Sequence, residues 1–299
     1  MKKIVITGAS GFIGGHLTGF LSKNGYKVVP LSRNSQVTGW NPHKLDGWEN
    51  QLKNADVIIN LAGANIGSGR WTRKRKAELI NSRLQSIEGI FNGLDAIAHK
   101  PDCMIQFSGI GYYGNQGEQE LTSQSPKGSG FIADLSDELE QKFLQNDQKI
   151  NRKIIARMGI VLGTDGGALP KLTLPFKLFV GGPIGQGKQQ VSWIHIEDVC
   201  QMIMHLIESD SSSGIYNGVA PNPLSNRELS KDLGKVLKRP SFFPVPPFML
   251  RILLGEMADE LLLASQRVFP TRLTESGFIF QFPRFRDAIT DLYSSGIRT

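Results

Sequence analysis

The 299-residue sequence predicts an α/β fold, a parallel sheet covered by helices on both faces and followed by a smaller, mostly helical C-terminal region. Two observations carry this. Short β-branched runs alternate with segments of helical spacing through the first half, and glycines close the runs where the chain must turn. The alternation weakens after Gly163, where glycine and proline accumulate.

"KKIVITG" reads as the first strand. "GFIGGHLTGFLSKNG" sets Phe12, Leu17 and Leu21 on one helical face with Gly25 as its stop, and "YKVVPLSR" is the second strand. "DVIINLAG" (Asp56 to Gly63) is the next. From Trp71, apolar residues at Ile80, Leu84, Ile87, Phe91 and Leu94 mark a helix whose basic start, Arg73 to Lys76, reads most simply as a solvated end, or else a ligand-facing one. "CMIQFSG" is a strand, "FIADLSDELEQKFLQN" a helix, and "RKIIARMGIVLG" a further strand; "SWIHIEDVCQMIMHLIES" holds a short strand and then a helix. Each crossover helix returns the chain in the same direction, so the sheet is parallel. Residues 1–163 form the expected core, with parts of 190–220 returning to it, and 164–299 the smaller substrate-binding region.

Hydrophobic residues make up 40% and charged residues 20%, an ordinary globular composition. The longest apolar stretch, "FPVPPFMLRILLG", is broken by prolines and Arg251, so no membrane span is expected. The basic N-terminus runs straight into a glycine-interrupted motif rather than a signal peptide's apolar region, and the expected location is cytoplasmic. Cys103 and Cys200, far apart and outside any CxxC, argue against a cysteine metal site. The net charge of +7 is scattered except between Arg70 and Glu78, which disfavours a nucleic-acid partner.

"TGASGFIG", Thr7 to Gly14, follows a strand and opens a helix. Gly8 permits the tight turn, Gly11 lets backbone approach a pyrophosphate, and Gly14 allows close packing of helix on strand. The helix N-terminus then offers unpaired N–H groups to phosphate. About 20 residues later, "LSRN" presents Ser32 and Arg33 where an acid would bond the ribose 2′-hydroxyl of NAD, and the arginine suits a 2′-phosphate instead. NADP(H) is the expected cofactor. "GGPIGQGKQQ" has P-loop spacing, but Gln189 replaces the Ser/Thr that would hold magnesium, and an ATPase is excluded.

"TGASGFIG", "NLAG" (Asn60 to Gly63), "FSGIGYYG" and "SWIHIEDV", in this order, resemble the extended short-chain dehydrogenase/reductases, the NAD(P)-dependent epimerase/dehydratase family. "NLAGANIGSGRWTRKRKAELINSR", "GYYGNQG", "GIVLGTDGGALPK" and "APNPLSNRE" resemble its atypical branch called epimerase family protein; the tail "LLLASQRVFPTRLTESGFIFQFP" is similar to that branch's C-terminal domain of unknown function. The resemblance implies a doubly wound (Rossmann) core with a small C-terminal substrate region. It also implies that Gly8, Ser10, Gly11, Phe12, Ile13 and Gly14 line the pyrophosphate, that Ser32 and Arg33 meet the 2′-phosphate, and that Leu61, Ala62 and Gly63 pass beneath the adenine ribose. Trp40 and Asn41 sit where the family often contacts adenine.

Members of this family resemble one another in a Ser…Tyr-x-x-x-Lys set, in which lysine brings a phenol of pKa near 10 into working range. None of the five tyrosines here has a lysine four residues on, and the corresponding helix carries Phe131 and Leu135 in the two places. Ser108, Tyr112 and Tyr113, in "SGIGYYGNQG", remain as catalytic candidates at the carboxyl edge of the sheet, with Lys171, Arg157 or His195 as electrostatic support. Packing alone is the rival role for both tyrosines, and for His195 a hydrogen-bonded strand end. The sequence thus reads as an NADP(H)-binding oxidoreductase or epimerase acting on a small hydroxyl or carbonyl compound, a sugar nucleotide by family analogy. A non-catalytic NADP(H) sensor or scaffold is the alternative. The expected partner is a small-molecule substrate, with a homodimer possible and no nucleic acid, membrane or metal.

Overall fold

The structure, a computed structural model, describes residues 1–32, 39–146 and 150–294. Arg33 lies outside the described residues.

β1 (Lys3–Thr7), α1 (Phe12–Lys23) and β2 (Lys27–Leu31) form the first βαβ unit, and β3 (Val57–Asn60), α2 (Arg73–Ala96) and β4 (Cys103–Gly109) extend it. A short β5 (Glu120–Leu121) precedes α3 (Phe131–Leu144) and β6 (Arg152–Met158). Next come β7 (Ile160–Leu162), α4 (Leu169–Lys177), β8 (Gln190–Val191), β9 (Trp193–His195), α5 (Ile196–Glu208) and β10 (Gly214–Gly218). The chain ends with β11 (Leu224–Ser225), α6 (Asn226–Leu237), α7 (Pro247–Leu254), α8 (Glu256–Leu261), β12 (Arg267–Val268), α9 (Thr271–Glu275) and α10 (Phe285–Ser294).

Six strands pair in parallel in the order β10-β6-β4-β3-β1-β2. The chain winds outward to β2 on one side of β1 and to β10 on the other, a doubly wound sheet whose switch point lies between β1 and β3. Ligands bind such sheets in the crevice outside that point. Because successive strand residues face opposite ways, Ile4 and Ile6 pack beneath α1 and α5 with Leu17, Leu21 and Ile203, while Val5 and Ile58 pack beneath α2 and α3 with Ile87, Ile90 and Phe143. Burial on both faces is why these strands read as continuous apolar runs.

Two expectations are corrected. "RKIIARMGIVLG" is not one strand: it breaks at Gly159, and β7 leaves the main sheet to pair with β9. A Cβ at Gly159 would stand 2.7 Å from the Ser192 carbonyl oxygen, so the crossing of the two segments requires glycine there. Nor is the basic start of α2 wholly solvated. Arg75 donates to the Asn65 carbonyl and, at 2.8 Å, to the Ser68 hydroxyl; Lys76 pairs with Glu256 at 2.5 Å and lies 4.6 Å from the Phe131 ring centre.

His195 caps α5, its Nδ1 accepting from the Glu197 amide at 3.1 Å, as expected of a hydrogen-bonded strand end. The ring is buried against Phe282 at 4.0 Å. Burial, with a smaller push from the charge of His16, lowers its pKa from 6.5 to about 4. The unfolded chain therefore binds this proton at a higher pH than the folded one, and stability falls as pH drops from 6.5 toward 4. Asn caps a helix equally well without titrating. Urea unfolding across this window should show the parent losing stability relative to His195→Asn as pH falls; parallel curves would contradict the assignment.

Candidate active site

The turn from β1 into α1 and the ends of β2 and β3 enclose a cleft of about 520 Å³. Of the residues expected at a dinucleotide, Gly8, Ser10, Gly11, Ser32, Leu61, Ala62 and Gly63 line it, and so do Trp40 and Asn41. Ser32 Oγ donates to Ser10 Oγ at 3.0 Å, tying the second strand to the turn. Phe12, Ile13 and Gly14 are not among the lining residues. The Phe12 ring instead fills a slot where a Cβ on Gly163 or Gly166 would approach within 2.5 or 2.6 Å, and Ile13 packs on the core beneath α1.

The cleft suits an anionic dinucleotide on three observations. Gly8 has φ +71°, and a Cβ there would meet the backbone of Leu61 at 2.8 Å; one on Gly14 would meet the Gly8 oxygen at 2.3 Å. Only glycines let β1, α1 and the end of β3 converge this closely. Second, α1 has no side-chain cap at Gly11. Its first-turn N–H groups and positive dipole end face the crevice. Third, Trp40 lines the cleft, and its buried indole N–H has no hydrogen-bond partner among the described residues.

Beyond β3 a second constellation sits at the same sheet edge. Register places Ser108 of β4, Arg157 of β6 and Asn217 of β10 side by side. The Arg157 guanidinium holds both oxygens of Glu140, from α3, at 2.7 to 3.2 Å, the two side chains being 2% and 3% exposed. Ser108 Oγ donates to the same carboxylate at 2.7 Å. Tyr113 Oη accepts from Arg157 at 3.0 Å and donates to Asn217 at 2.7 Å. Its phenol is buried and fully hydrogen-bonded; burial pushes its pKa above 10.0, which the Arg157 charge offsets only in part. Tyr112 stacks face-on with its ring centre 3.4 Å from the Arg157 guanidinium carbon. It is half-buried, and its hydroxyl has no hydrogen-bond partner among the described residues.

The structure thus brings Ser108, Tyr112, Tyr113 and Arg157 together. Lys171 is elsewhere, its ammonium on the Gly67 carbonyl at 2.8 Å, and His195 caps α5. Phe131 and Leu135 pack with Trp71 and Met257 as apolar filling. Sequence reasoning missed Glu140, Asn217 and the cleft residues Pro42, His43, Ser82 and Gln85. For the last two a signal existed: Ser82, Gln85 and Ser86 interrupt the apolar stripe of α2 on its sheet side.

The C-terminal segment clasps the tyrosine loop. β12 pairs with β5, Gln266 donates to the Ile110 and Gly114 carbonyls, and the Ser265 amide donates to Asn115. Glu260 accepts from the Phe131 and Ile132 amides at 2.8 and 2.7 Å, capping α3 from outside the core.

A doubly wound sheet with a glycine turn at its switch point defines a nucleotide-binding α/β protein. The chain belongs to the NAD dependent epimerase/dehydratase family, whose model matches residues 4–131, and residues 245–292 match a domain of unknown function, DUF1731. It is 37% identical to epimerase family protein YfhF of Bacillus subtilis, over 97% of each chain. It is 35% identical to the chloroplastic SDR39U1 homolog of Arabidopsis thaliana, over 96% of this chain and 85% of that one. The crystal structure of human epimerase family protein SDR39U1 with NADPH superposes with a TM-score of 0.89 at 31% identity, over 98% of this chain and 99% of that one.

Removing one partner of a buried ion pair leaves an uncompensated charge and costs about 3–5 kcal/mol, whereas replacing both with apolar groups costs far less. Glu140→Leu and Arg157→Met should each lower the urea-derived stability by that amount. The double variant should lose less than either; additive losses would show that the pair acts independently.

Proposed function

We propose that the protein is an NADP(H)-dependent oxidoreductase or epimerase acting on a small hydroxyl or carbonyl substrate, with Tyr112 and Ser108 as the groups that touch it. The observation that carries this reading is the pairing of a half-buried phenol of open hydroxyl with a serine whose orientation is fixed. Both lie on the carboxyl edge of the sheet that holds the glycine turn. β3 and two strand spacings separate that turn from Ser108, about 10 Å, within the span of one extended dinucleotide.

A bound NADP(H) supplies the hydride chemistry. The Gly8 to Gly11 backbone and the α1 N-terminus would hold its phosphates, and Arg33, by its place in the sequence, would meet the 2′-phosphate. Ser108, its proton committed to Glu140, presents lone pairs to a substrate hydroxyl. Tyr112 exchanges the proton at the reacting oxygen, its ring held flat by Arg157. Tyr113 is a positioning residue: it fixes Arg157 between Glu140 and Asn217 and is closed to substrate. The NADPH-bound human relative supports the cofactor choice.

A second reading, an NADP(H)-binding sensor without turnover, is favoured by one observation. Glu140 neutralises Arg157, so the phenols face a paired cation rather than a free one.

Arg33→Asp should weaken NADPH binding roughly 10- to 100-fold, the worth of one charge-assisted hydrogen bond, and leave NADH binding nearly unchanged in calorimetric titration. Equal losses would sink the NADP assignment. In a panel of aldehydes, ketones and sugar nucleotides, Tyr112→Phe should reduce kcat about 100-fold with NADPH affinity intact. Tyr113→Phe should lower the thermal midpoint while keeping the parent's pH profile. Tight NADPH binding with no turnover across the panel supports the sensor.

A further inference from the structure

Fourteen large apolar side chains stand exposed among the described residues, and ten of them fall in two short segments, 174–180 and 242–253. Solvent-facing apolar residues are ordinary when scattered; a contiguous patch marks a binding surface. Here the segments form one surface. The Phe243 amide donates to the Gly181 carbonyl at 3.1 Å, the Val245 amide to Pro183 at 2.9 Å, and the Gly185 amide back to Val245 at 2.9 Å. Phe242 is 71% exposed and its ring lies 4.5 Å from that of Phe243. α7, whose sequence PFMLRILL is apolar except for one arginine, has no buried residue at all. Leu254 at its end packs against the cluster that contains Trp71 and Met257, while Phe248, Met249, Ile252 and Leu253 stand exposed.

The two sequence segments that carry the patch are basic and acid-free. The stretch 166–196 has three lysines and no Asp or Glu, and 233–255 has four Lys or Arg and no acid. Together they equal the chain's net charge of +7, so the remainder of the protein is neutral. Arg251 pairs with Asp259 at 2.9 Å, and none of the other six is ion-paired among the described residues. Lys177 and Lys238 are next to Leu178 and Arg239 in the chain, and the Arg239 guanidinium lies 4.5 Å from the Phe179 ring centre.

We propose that this face docks the protein peripherally on an anionic lipid bilayer. Phe179, Phe242, Phe248 and Ile252 enter the headgroup region, and the acid-free basic segments meet the anionic lipids. α7 has eight residues, too short to cross a bilayer, and no helix among the described residues is long and apolar enough to do so. Such a helix lies in the interfacial plane, where apolar burial and lysine or arginine attraction act together. A second copy of the chain fits less well, because a two-fold contact would set each basic segment against its own like charge. The proposal is independent of which substrate the cleft accepts.

Flotation of the full-length protein with vesicles of phosphatidylcholine alone, or with about 30% phosphatidylglycerol, tests it. Binding should require the anionic lipid and fall in high salt. Lys238→Gln and Arg239→Gln should each weaken it about fivefold. Phe248→Ser with Ile252→Ser should abolish flotation while the thermal midpoint stays within a degree or so of the parent, since neither side chain is buried. Equal flotation with both vesicles, or full binding by the serine variant, would overturn the proposal. So would an absence of flotation, whether the patch then drives self-association in sedimentation or captures an acidic protein.

Discussion

The Arg157–Glu140 ion pair is the interaction around which the sheet edge is organised. Two charges 2% and 3% exposed can persist only if each is answered nearly completely, and here the surrounding groups do so. Glu140 accepts from Arg157 and Ser108; Arg157 donates onward to Tyr113, which donates to Asn217. The pair thus sets the rotamers of three strand ends and one loop. It also explains how a chain without the family's usual lysine still places a cation beside its phenols.

The same pair divides the two adjacent tyrosines. Tyr113 is drawn into the core by hydrogen bonds that use up its hydroxyl, while Tyr112 covers the guanidinium from the outside and keeps its hydroxyl open. The C-terminal region holds this division in place by satisfying the loop's backbone: Gln266 takes the Ile110 and Gly114 carbonyls, and the Asn217 amide donates to the Phe269 carbonyl. Glu260 does the same for the start of α3. Residues 245–292 therefore complete the site from behind as well as enlarging the molecule.

The strands and helices of the core were legible because periodicity reports burial, and β1, β3 and β4 are buried on both faces. The glycine turn was legible because Gly8 and Gly14 answer steric demands that no other residue meets. The network was not. Glu140 looks like one of the solvated charges in "SDELEQK", and Arg157 like an interruption in a strand; only the register of β4, β6 and β10 sets them at one point. The break at Gly159 was invisible because the residues on either side are equally apolar, and what stops the strand is a backbone more than 30 positions away.

In the proposed function Tyr112, not Tyr113, meets the substrate beside a dinucleotide lying in the β1–β3 crevice. A crystal structure of the protein with NADPH tests this most directly. The diphosphate should lie on the Gly8 to Gly11 turn, with the hydroxyls of Tyr112 and Ser108 within hydrogen-bonding reach of the space over nicotinamide C4. A nicotinamide facing away from both, or a Tyr113 hydroxyl released from Asn217 and turned toward C4, would contradict it.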